Sequence, residues 1–319
     1  MTVAATTLPP GCVHEAAFYG SDDELLAVTV PFLEGGLKAG EPTVVSFDAH
    51  HTALVRGALG DVEGVSYLGN GRYSRPAAAI QQLRQIVVDH LAAGAERVRV
   101  VGDMPHPGVG VPWDWWCRYE ATVNYALRDV PFWGLCPYDT RITPDYVLAD
   151  AIATHPFLAM TDGRHVVNEA YQPPATFLAH RPVPPPDPFE ARPPAVALVG
   201  PTAAQARHAV ADLAQRSCLE PVTIENLVGG VSESVANANA HGRPPVEVRA
   251  WAVPDRMVVT VTDHGAGPDD PYVGLLPARP TTPEGTGGLG MWITFQLCDD
   301  VVLARQDDGF TVRLVAGRP

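Results

Sequence analysis

A proline-rich segment divides the chain and limits its fold more than any other feature of the sequence. Residues 172–194 hold nine of the 32 prolines in this chain of 319 residues. Because proline lacks a backbone N–H and has a fixed φ angle, a long helix or a central strand cannot run through this segment. The segment is either a semi-rigid linker or a proline-rich wrap on a domain surface. We expect an N-terminal domain over 12–171, a linker over 172–194 and a C-terminal domain over 195–319.

The basic residues exclude two common ways of binding a nucleotide. Lys38 is the single lysine among 22 basic residues. A P-loop requires a lysine followed by serine or threonine, but Lys38 is followed by Ala39, so this chain contains no P-loop. It also lacks the V-A-I-K, H-R-D and D-F-G motifs of eukaryotic-type protein kinases. A nucleotide would have to bind here without the usual lysine.

Charge and cysteine content limit which partners and which cellular compartment we expect for this chain. The net charge is −14 and no run of Lys or Arg occurs, so we expect no nucleic-acid partner. The five cysteines are scattered without a C-x-x-C pair, which is typical of reduced thiols. Neither a secretion signal nor a run of about 18 apolar residues is found, so we expect a cytoplasmic protein without a membrane span.

Strand and helix signals alternate through the N-terminal domain. The spacing of Ser21 and Glu24 predicts a capping box, and apolar residues follow at helical spacing from Leu25. The predicted strands are 16–19, 43–47, 97–101 and 130–135. One predicted helix begins after Ser21, and two others cover 80–92 and 113–127. This alternation predicts an α/β domain with a largely parallel sheet.

The C-terminal domain has a different pattern. Its predicted strands are 196–199, 246–251, 257–262, 301–303 and 310–314, and its predicted helices are 202–216, about 223–241 and 291–297. The last two strands are joined at Asp308-Gly309 as a hairpin. The pattern predicts an α+β sandwich in which helices cover one face of a mixed or antiparallel sheet.

Three clusters of polar and glycine residues follow one another in this domain. Glu233, Asn237 and His241 are four residues apart, so they share one face of the predicted helix. A carboxylate and a carboxamide one turn apart suit Mg²⁺, which prefers oxygen ligands beside substrate phosphates. For this cluster alone, the alternative is a solvated polar stripe on an amphipathic helix.

The second cluster, 263–267, follows a hydrophobic strand. The Asp263 carboxylate can accept a hydrogen bond from an exocyclic amino group, and Gly265 and Gly267 permit close approach of a ligand. An ordinary turn is the alternative for this cluster alone. A loop over 268–284, rich in proline and small residues, could close over a nucleotide as a lid.

The third cluster is a glycine-rich run that leads into a helix. It consists of Gly285, Thr286, Gly287, Gly288, Leu289 and Gly290. Free N–H groups and the dipole at a helix N terminus favour an anion. The letters fit G-x-G-x-x-G, but a loop precedes them where a dinucleotide fold requires a strand, so we reject that interpretation.

Together these clusters resemble the three nucleotide-binding boxes of the GHKL superfamily of ATPases. The closer resemblance is to the bacterial anti-sigma-factor serine kinases, whose first box reads E-x-x-x-N-A-x-x-H-[AG]. This chain meets that pattern with Glu233, Asn237, Ala238, His241 and Gly242. The resemblance covers about 195–315 and implies the ATP-binding α+β sandwich of that superfamily, the Bergerat fold.

The resemblance implies roles for particular residues, with ATP and Mg²⁺ as cofactors. Asn237 would ligate Mg²⁺, Asp263 would bind adenine, and Glu233 would act as general base on a serine hydroxyl. The residues predicted to bind ATP are Asn237, His241, Asp263, Gly265, Gly267, Arg279, Gly285, Thr286, Gly287, Gly288, Leu289 and Gly290. Among these, Arg279 is proposed to add positive charge from the lid.

The N-terminal domain resembles the MEDS sensory domain. The matching stretches are 14–19, 36–41, 116–124, 135–139 and 154–156. That α/β domain is associated with sensing small hydrocarbon derivatives. The candidates for a sensory pocket are His14, Tyr19, Glu120, Cys136, Tyr138 and His155. Some of these residues could bind a metal, but none has the spacing of a metal motif, so packing and hydrogen bonding alone are the alternative.

Two functions are consistent with the sequence. The first is an ATP-dependent serine/threonine protein kinase of the anti-sigma type, gated by a small molecule at the N-terminal domain. Its partner would be an anti-sigma-factor antagonist or a sigma factor, and the chain could form a homodimer. The second is a nucleotide-dependent module that sequesters a partner without turnover. A histidine kinase is disfavoured, because the segment before the ATPase-like domain is rich in proline and cannot form a helical hairpin.

Overall fold

The computed structural model describes residues 9, 11–60, 62–69, 75–109, 111–277 and 288–317. The chain forms two units, Met1–His180 and Arg181–Pro319, and their boundary falls inside the predicted linker. Among the helices within the described ranges, none is long and apolar enough to cross a membrane.

The N-terminal unit is built on a seven-stranded sheet with the order β3-β2-β4-β5-β1-β6-β7. Its strands are β1 (Val13–Tyr19), β2 (Thr43–Ser46), β3 (Val65–Tyr67), β4 (Val98–Gly102), β5 (Phe132–Asp139), β6 (Phe157–Ala159) and β7 (His165–Val167). All neighbours pair in parallel except β6 and β7, which are antiparallel. The predicted α/β domain with a largely parallel sheet is confirmed.

Helices connect these strands. They are α1 (Asp22–Ala39), α2 (Ala49–Leu59), α3 (Pro76–Ala92), α4 (Asp114–Ala126), α5 (Asp145–Thr154) and α6 (Pro174–Ala179). Ser21 caps α1 as predicted, with its hydroxyl accepting a hydrogen bond from the Glu24 N–H. The α2 helix was not predicted. His50 and His51 lie in its first turn, which Asp48 caps by accepting a hydrogen bond from the His51 N–H.

Strand β1 lies between β5 and β6, and its position decides which polar residues meet. It pairs in parallel on both edges, and its side chains are buried on both faces of the sheet. Because side chains alternate along a strand, His14 lies on one face of the sheet, while Glu15 and Tyr19 lie on the other. One strand therefore delivers polar residues to two separate buried environments.

The C-terminal unit contains a five-stranded antiparallel sheet with the order β11-β12-β10-β9-β8. Its strands are β8 (Val196–Val199), β9 (Glu247–Val253), β10 (Arg256–Asp263), β11 (Asp300–Gln306) and β12 (Gly309–Ala316), and its helices are α7 (Ala203–Ala214), α8 (Pro221–His241) and α9 (Gly290–Leu297). Gly230 of α8 lies close to Leu314 of β12, so α8 packs on the face of the sheet that presents Leu314. The predicted α+β sandwich is confirmed.

The end of the proline-rich segment lies on the opposite face of this sheet. A short 3₁₀ helix, Pro188–Ala191, brings Phe189 against Trp251, Val258 and Val315. The Trp251 indole N–H also donates to the Arg192 carbonyl at 2.9 Å. This part of the segment is therefore a surface wrap.

Buried ion pairs anchor the same wrap. The Asp187 carboxylate, 6% exposed, caps the 3₁₀ helix and pairs with Arg256 at 2.6 Å. Glu190 pairs with Arg313 of β12, also at 2.6 Å. The wrap thus replaces water over the polar and apolar side chains of this sheet face. At the start of the segment, α6 packs against α4 in the N-terminal unit.

Replacing Asp187 tests how much the wrap stabilises the C-terminal unit. We expect Asp187→Ala to lower its free energy of unfolding by about 2–3 kcal/mol, because the change removes a helix cap and leaves the largely buried Arg256 without its carboxylate. Hydrogen exchange of the β9–β12 amides under denaturant measures this quantity. The control, Asp269→Ala, removes a 99% exposed carboxylate paired with Arg305 and should cost less than about 0.5 kcal/mol. Equal effects of the two changes would contradict this role.

Candidate nucleotide site and buried polar clusters

Helix α8 presents its polar face beside the apolar face that packs on the sheet. Leu227, Val231 and Val235 are fully buried, whereas Glu233 and Asn237 are partly exposed. The 3.6-residue period of the helix separates these two sets. His241, the third member of the predicted polar stripe, is exposed at the last residue of the helix.

The N terminus of α9 lies against that polar face. Gly290 is the first residue of α9, and a Cβ atom there would lie 2.6 Å from Glu233 Oε2 and 3.1 Å from Asn237 Nδ2. Only glycine allows so close an approach between backbone and side chains. The structure therefore brings the first and third sequence clusters together at a helix N terminus, where free N–H groups can bind an anion.

Asp263 joins the second cluster to the end of α8. It is the last residue of β10 and is 6% exposed. Its Oδ1 accepts hydrogen bonds from the N–H groups of Gly265 at 2.6 Å and Arg243 at 3.1 Å. Arg243 follows Gly242, where a Cβ atom would lie 2.4 Å from the Asp263 carboxyl carbon. Two backbone N–H groups thus hold the Asp263 carboxylate in place through its Oδ1 atom.

Other predicted residues of this site have different positions. Gly267 has a φ of +71° and lies on the Phe310 ring, so it makes a turn that an L-residue would strain. Gly288 also has a positive φ, and Leu289, 41% exposed, directly precedes α9. The predicted ATP-binding residues Arg279, Gly285, Thr286 and Gly287 lie outside the described residues.

Five of the six sensory candidates form one buried cluster in the N-terminal unit. The Tyr138 hydroxyl donates to Glu120 Oε1 at 2.9 Å. Glu120 Oε2 lies 3.3 Å from His14 Nε2 and 3.4 Å from His155 Nε2. Cys136 Sγ lies 3.3 Å from His14 Nε2. We call these four residues, His14, Glu120, Cys136 and His155, the tetrad.

Burial governs the ionisation of this cluster. Burial, together with the nearby His14, lowers the pKa of His155 to about 3, so this ring is neutral at ordinary pH. Burial also raises the pKa of the Cys136 thiol and of the Tyr138 hydroxyl, and the negative charge of Glu120 adds to both shifts. The cluster therefore contains a neutral His155 ring, a thiol and a hydroxyl around one buried carboxyl group.

Tyr19 is separate from the other sensory candidates, which corrects the predicted pocket. It is five residues after His14 on β1, and an odd separation places two side chains on opposite faces of a sheet. Its hydroxyl lies 3.4 Å from His51 Nε2, and His51 Nδ1 lies 3.0 Å from Asp103 Oδ2. This second polar group, with Asp48, lies at the carboxyl ends of the strands and was missed in the sequence.

A cavity of about 280 Å³ lies on the Tyr19 face of β1. Its walls include Arg99, Trp133 and His165 together with apolar residues of α1. Glu15 of β1 is fully buried behind this wall and accepts hydrogen bonds from Trp133 Nε1 at 2.7 Å and His165 Nδ1 at 2.8 Å. The sequence offered one signal for this pair, the charged Glu15 inside an apolar strand. Its partner His165 is 150 residues away, so no local pattern connects the two residues.

Two family models match separate parts of the chain. Residues 13–156 match MEDS, the methanogen/methylotroph DcmR sensory domain. Residues 197–316 match the histidine kinase-like ATPase domain. The chain therefore carries a MEDS domain followed by a histidine kinase-like ATPase domain, as predicted.

A curated relative matches the first of these domains. The transcriptional repressor DcmR of Methylorubrum extorquens is 28% identical to this chain over 155 residues. The matched region covers 44% of this chain and 57% of DcmR. The chain thus spans little more than half the length of that repressor.

Solved structures resemble part of the chain at low TM-scores. The RsbU and RsbW domains of Rv1364c from Mycobacterium tuberculosis are 20% identical with a TM-score of 0.27, covering 40% of this chain and 34% of that one. The mycobacterial sensor histidine kinase MprB is 26% identical with a TM-score of 0.22, covering 29% of this chain and 73% of that one. At these TM-scores the likeness carries no argument about function.

Gly290→Ala tests the contact between α8 and α9. We expect it to lower the free energy of unfolding of the C-terminal unit by about 1–3 kcal/mol, because the added methyl group would displace the Glu233 and Asn237 side chains. The control is Gly57→Ala in α2, where no heavy atom lies within 4 Å of the added Cβ. That change should stabilise the N-terminal unit by about 0.5–1 kcal/mol. Hydrogen exchange that resolves each unit measures both, and stabilisation by Gly290→Ala would contradict the contact.

Proposed function

We propose that this protein is an ATP-dependent serine/threonine protein kinase whose activity is gated by its N-terminal sensory domain. The observation that carries the proposal is the position of Glu233 and Asn237 against Gly290, the first residue of α9. A carboxylate, a carboxamide and a set of free backbone N–H groups thereby meet at one place. The match of 197–316 to the histidine kinase-like ATPase domain supports ATP as the nucleotide.

The adenine ring of ATP is proposed to bind at Asp263. The backbone N–H groups of Arg243 and Gly265 both donate to Oδ1, so Oδ2 can accept a hydrogen bond from the exocyclic amino group of adenine. The phosphates would then extend toward the N terminus of α9, where the helix dipole and free N–H groups favour negative charge. The run 285–287 is a proposed phosphate contact on the sequence resemblance, and Arg279 is proposed to add positive charge from the predicted lid.

The donor set beside Gly290 fits a magnesium ion. Mg²⁺ takes hard oxygen ligands and usually binds proteins through one or two groups together with substrate phosphates and water. Asn237 would hold it through its carboxamide oxygen. The ion would neutralise charge on the phosphates, a task that falls to a lysine in P-loop enzymes.

Glu233 is proposed as the general base of the phosphoryl transfer. The serine oxygen of the substrate would form a bond to the γ-phosphorus as the bond from that phosphorus to the ADP oxygen breaks. The hydroxyl proton would pass to the Glu233 carboxylate. Glu233 is partly exposed on α8, so a protein substrate can reach it.

The protein substrate is proposed to be an anti-sigma-factor antagonist. Support comes from the box formed by Glu233, Asn237, Ala238, His241 and Gly242, which resembles that of the anti-sigma-factor serine kinases. The gating signal would be a small molecule bound in the N-terminal unit, and the cavity beside Arg99, Trp133 and His165 is the proposed site. An added compound that binds there should change the rate of phosphoryl transfer by the full chain.

Glu233→Gln tests the base assignment. With γ-labelled ATP and a panel of purified bacterial anti-sigma-factor antagonists, the wild-type chain should label a serine or threonine. We expect Glu233→Gln to reduce the rate by about 100-fold or more, because the amide cannot accept the hydroxyl proton, while ATP affinity is retained. Glu225→Gln, an exposed change two turns earlier on α8, is the matched control and should leave the rate unaltered.

Two outcomes would count against this function. Undiminished transfer by Glu233→Gln would overturn its role as base. ATP-dependent capture of an antagonist without any labelling would instead favour a module that sequesters its partner without turnover.

A further inference from the structure

The tetrad in the N-terminal unit brings four ligand-type side chains together from four places in the chain. His14 is on β1, Glu120 on α4, Cys136 on β5, and His155 directly follows α5. One ligand atom from each lies within 4.8 Å of all the others. Neither ATP binding nor phosphoryl transfer, as proposed for the C-terminal unit, uses these residues.

A hydrogen bond fixes the proton of the His155 ring on Nδ1. Its Nδ1 lies 2.7 Å from the Ala151 carbonyl oxygen, which can only accept, so Nδ1 carries the proton. In a neutral ring, Nε2 then presents a lone pair. That lone pair faces Glu120 Oε2 at 3.4 Å.

The same argument fixes His14 through Asn124. The Asn124 Nδ2 group donates to the carbonyl oxygens of Glu120 at 3.0 Å and Thr154 at 2.8 Å, which sets the orientation of the amide. Its Oδ1 therefore faces His14 Nδ1 at 3.3 Å and accepts from it. In a neutral His14 ring, Nε2 thus also presents a lone pair toward Glu120 Oε2 and Cys136 Sγ.

Too few donors remain at the centre of the tetrad. The Cys136 thiol has one proton, which it can give to His14 Nε2. Glu120 Oε2 and His155 Nε2 are buried and make no hydrogen bond within the part of the chain that the structure describes. Two acceptors held together in a dry interior repel unless a positive charge lies between them.

The distances suit a metal ion at that position. Bonds of about 2.0–2.1 Å from a tetrahedral ion to nitrogen or oxygen place neighbouring ligand atoms about 3.3–3.4 Å apart. The distances from Glu120 Oε2 to the two Nε2 atoms are 3.3 and 3.4 Å. One divalent ion would also balance the two negative charges of a carboxylate and a thiolate, so the buried site would be neutral.

We propose that the tetrad of His14, Glu120, Cys136 and His155 binds one divalent transition metal ion of the zinc type. With four protein ligands the site is closed, which is typical of a structural metal. Asn124, the Ala151 carbonyl and Tyr138 are its outer partners, which orient the ligands. The metal ties β1, β5, α4 and the end of α5 together.

Cobalt(II) reports on this site directly, because a thiolate bound to cobalt gives a charge-transfer absorption in the near ultraviolet. Full-length protein freed of metal by a chelator is titrated with Co²⁺ under reducing conditions. We expect this band to saturate at about one Co²⁺ per chain and to disappear when Zn²⁺ is added. Zn²⁺ should also raise the unfolding midpoint of the N-terminal unit.

Two cysteine variants make the test specific. Cys136→Ser should abolish the band, whereas Cys117→Ser should retain it, because the buried Cys117 on α4 lies outside the tetrad. If Cys136→Ser fails to fold by circular dichroism, the wild-type titration decides. A saturable band at one equivalent supports the site. No saturable band, or an unaltered band in folded Cys136→Ser, would overturn it in favour of a cluster held by protons alone.

Discussion

The approach of the α9 backbone to the polar face of α8 is the contact on which the candidate nucleotide site depends. Glycine at position 290 allows Glu233 and Asn237 to lie against the first turn of α9. The apolar face of α8 holds that helix on the sheet, and Asp263 is fixed where β10 meets the other end of α8. A rigid sheet thus positions a carboxylate, a carboxamide and free N–H groups within one site, without a lysine.

Local sequence patterns predicted much of this arrangement. The spacing of Glu233 and Asn237 predicted the shared helix face, and the hydrophobic run before Asp263 predicted the strand that ends at this residue. Boundaries were less predictable: β5 continues to Asp139 and α8 begins at Pro221. Those limits depend on pairing with neighbouring strands and on packing, which a local pattern does not contain.

The N-terminal unit was harder to predict because its polar groups meet over long separations. Glu15 and His165 form one pair, and His14 and His155 flank Glu120, only because β1 lies between β5 and β6. Alternation along β1 also places Tyr19 and His14 on opposite faces of the sheet. The prediction that both residues line one pocket did not take this alternation into account. For the proline-rich segment, the sequence left a linker and a surface wrap as alternatives. The packing of Phe189 on Trp251 shows that the part around Asp187 is a wrap.

The central claim is that the Asp263 carboxylate binds the amino group of the adenine of ATP. Isothermal titration calorimetry with Mg·ATP tests this claim most directly. Asp263→Asn keeps an oxygen for the N–H groups of Gly265 and Arg243 but turns an amide donor toward the adenine amino group. We predict at least about a tenfold loss of affinity relative to wild type. Asp212→Asn, an exposed change on α7, should bind as wild type does. Equal affinity of Asp263→Asn and wild type would contradict the account.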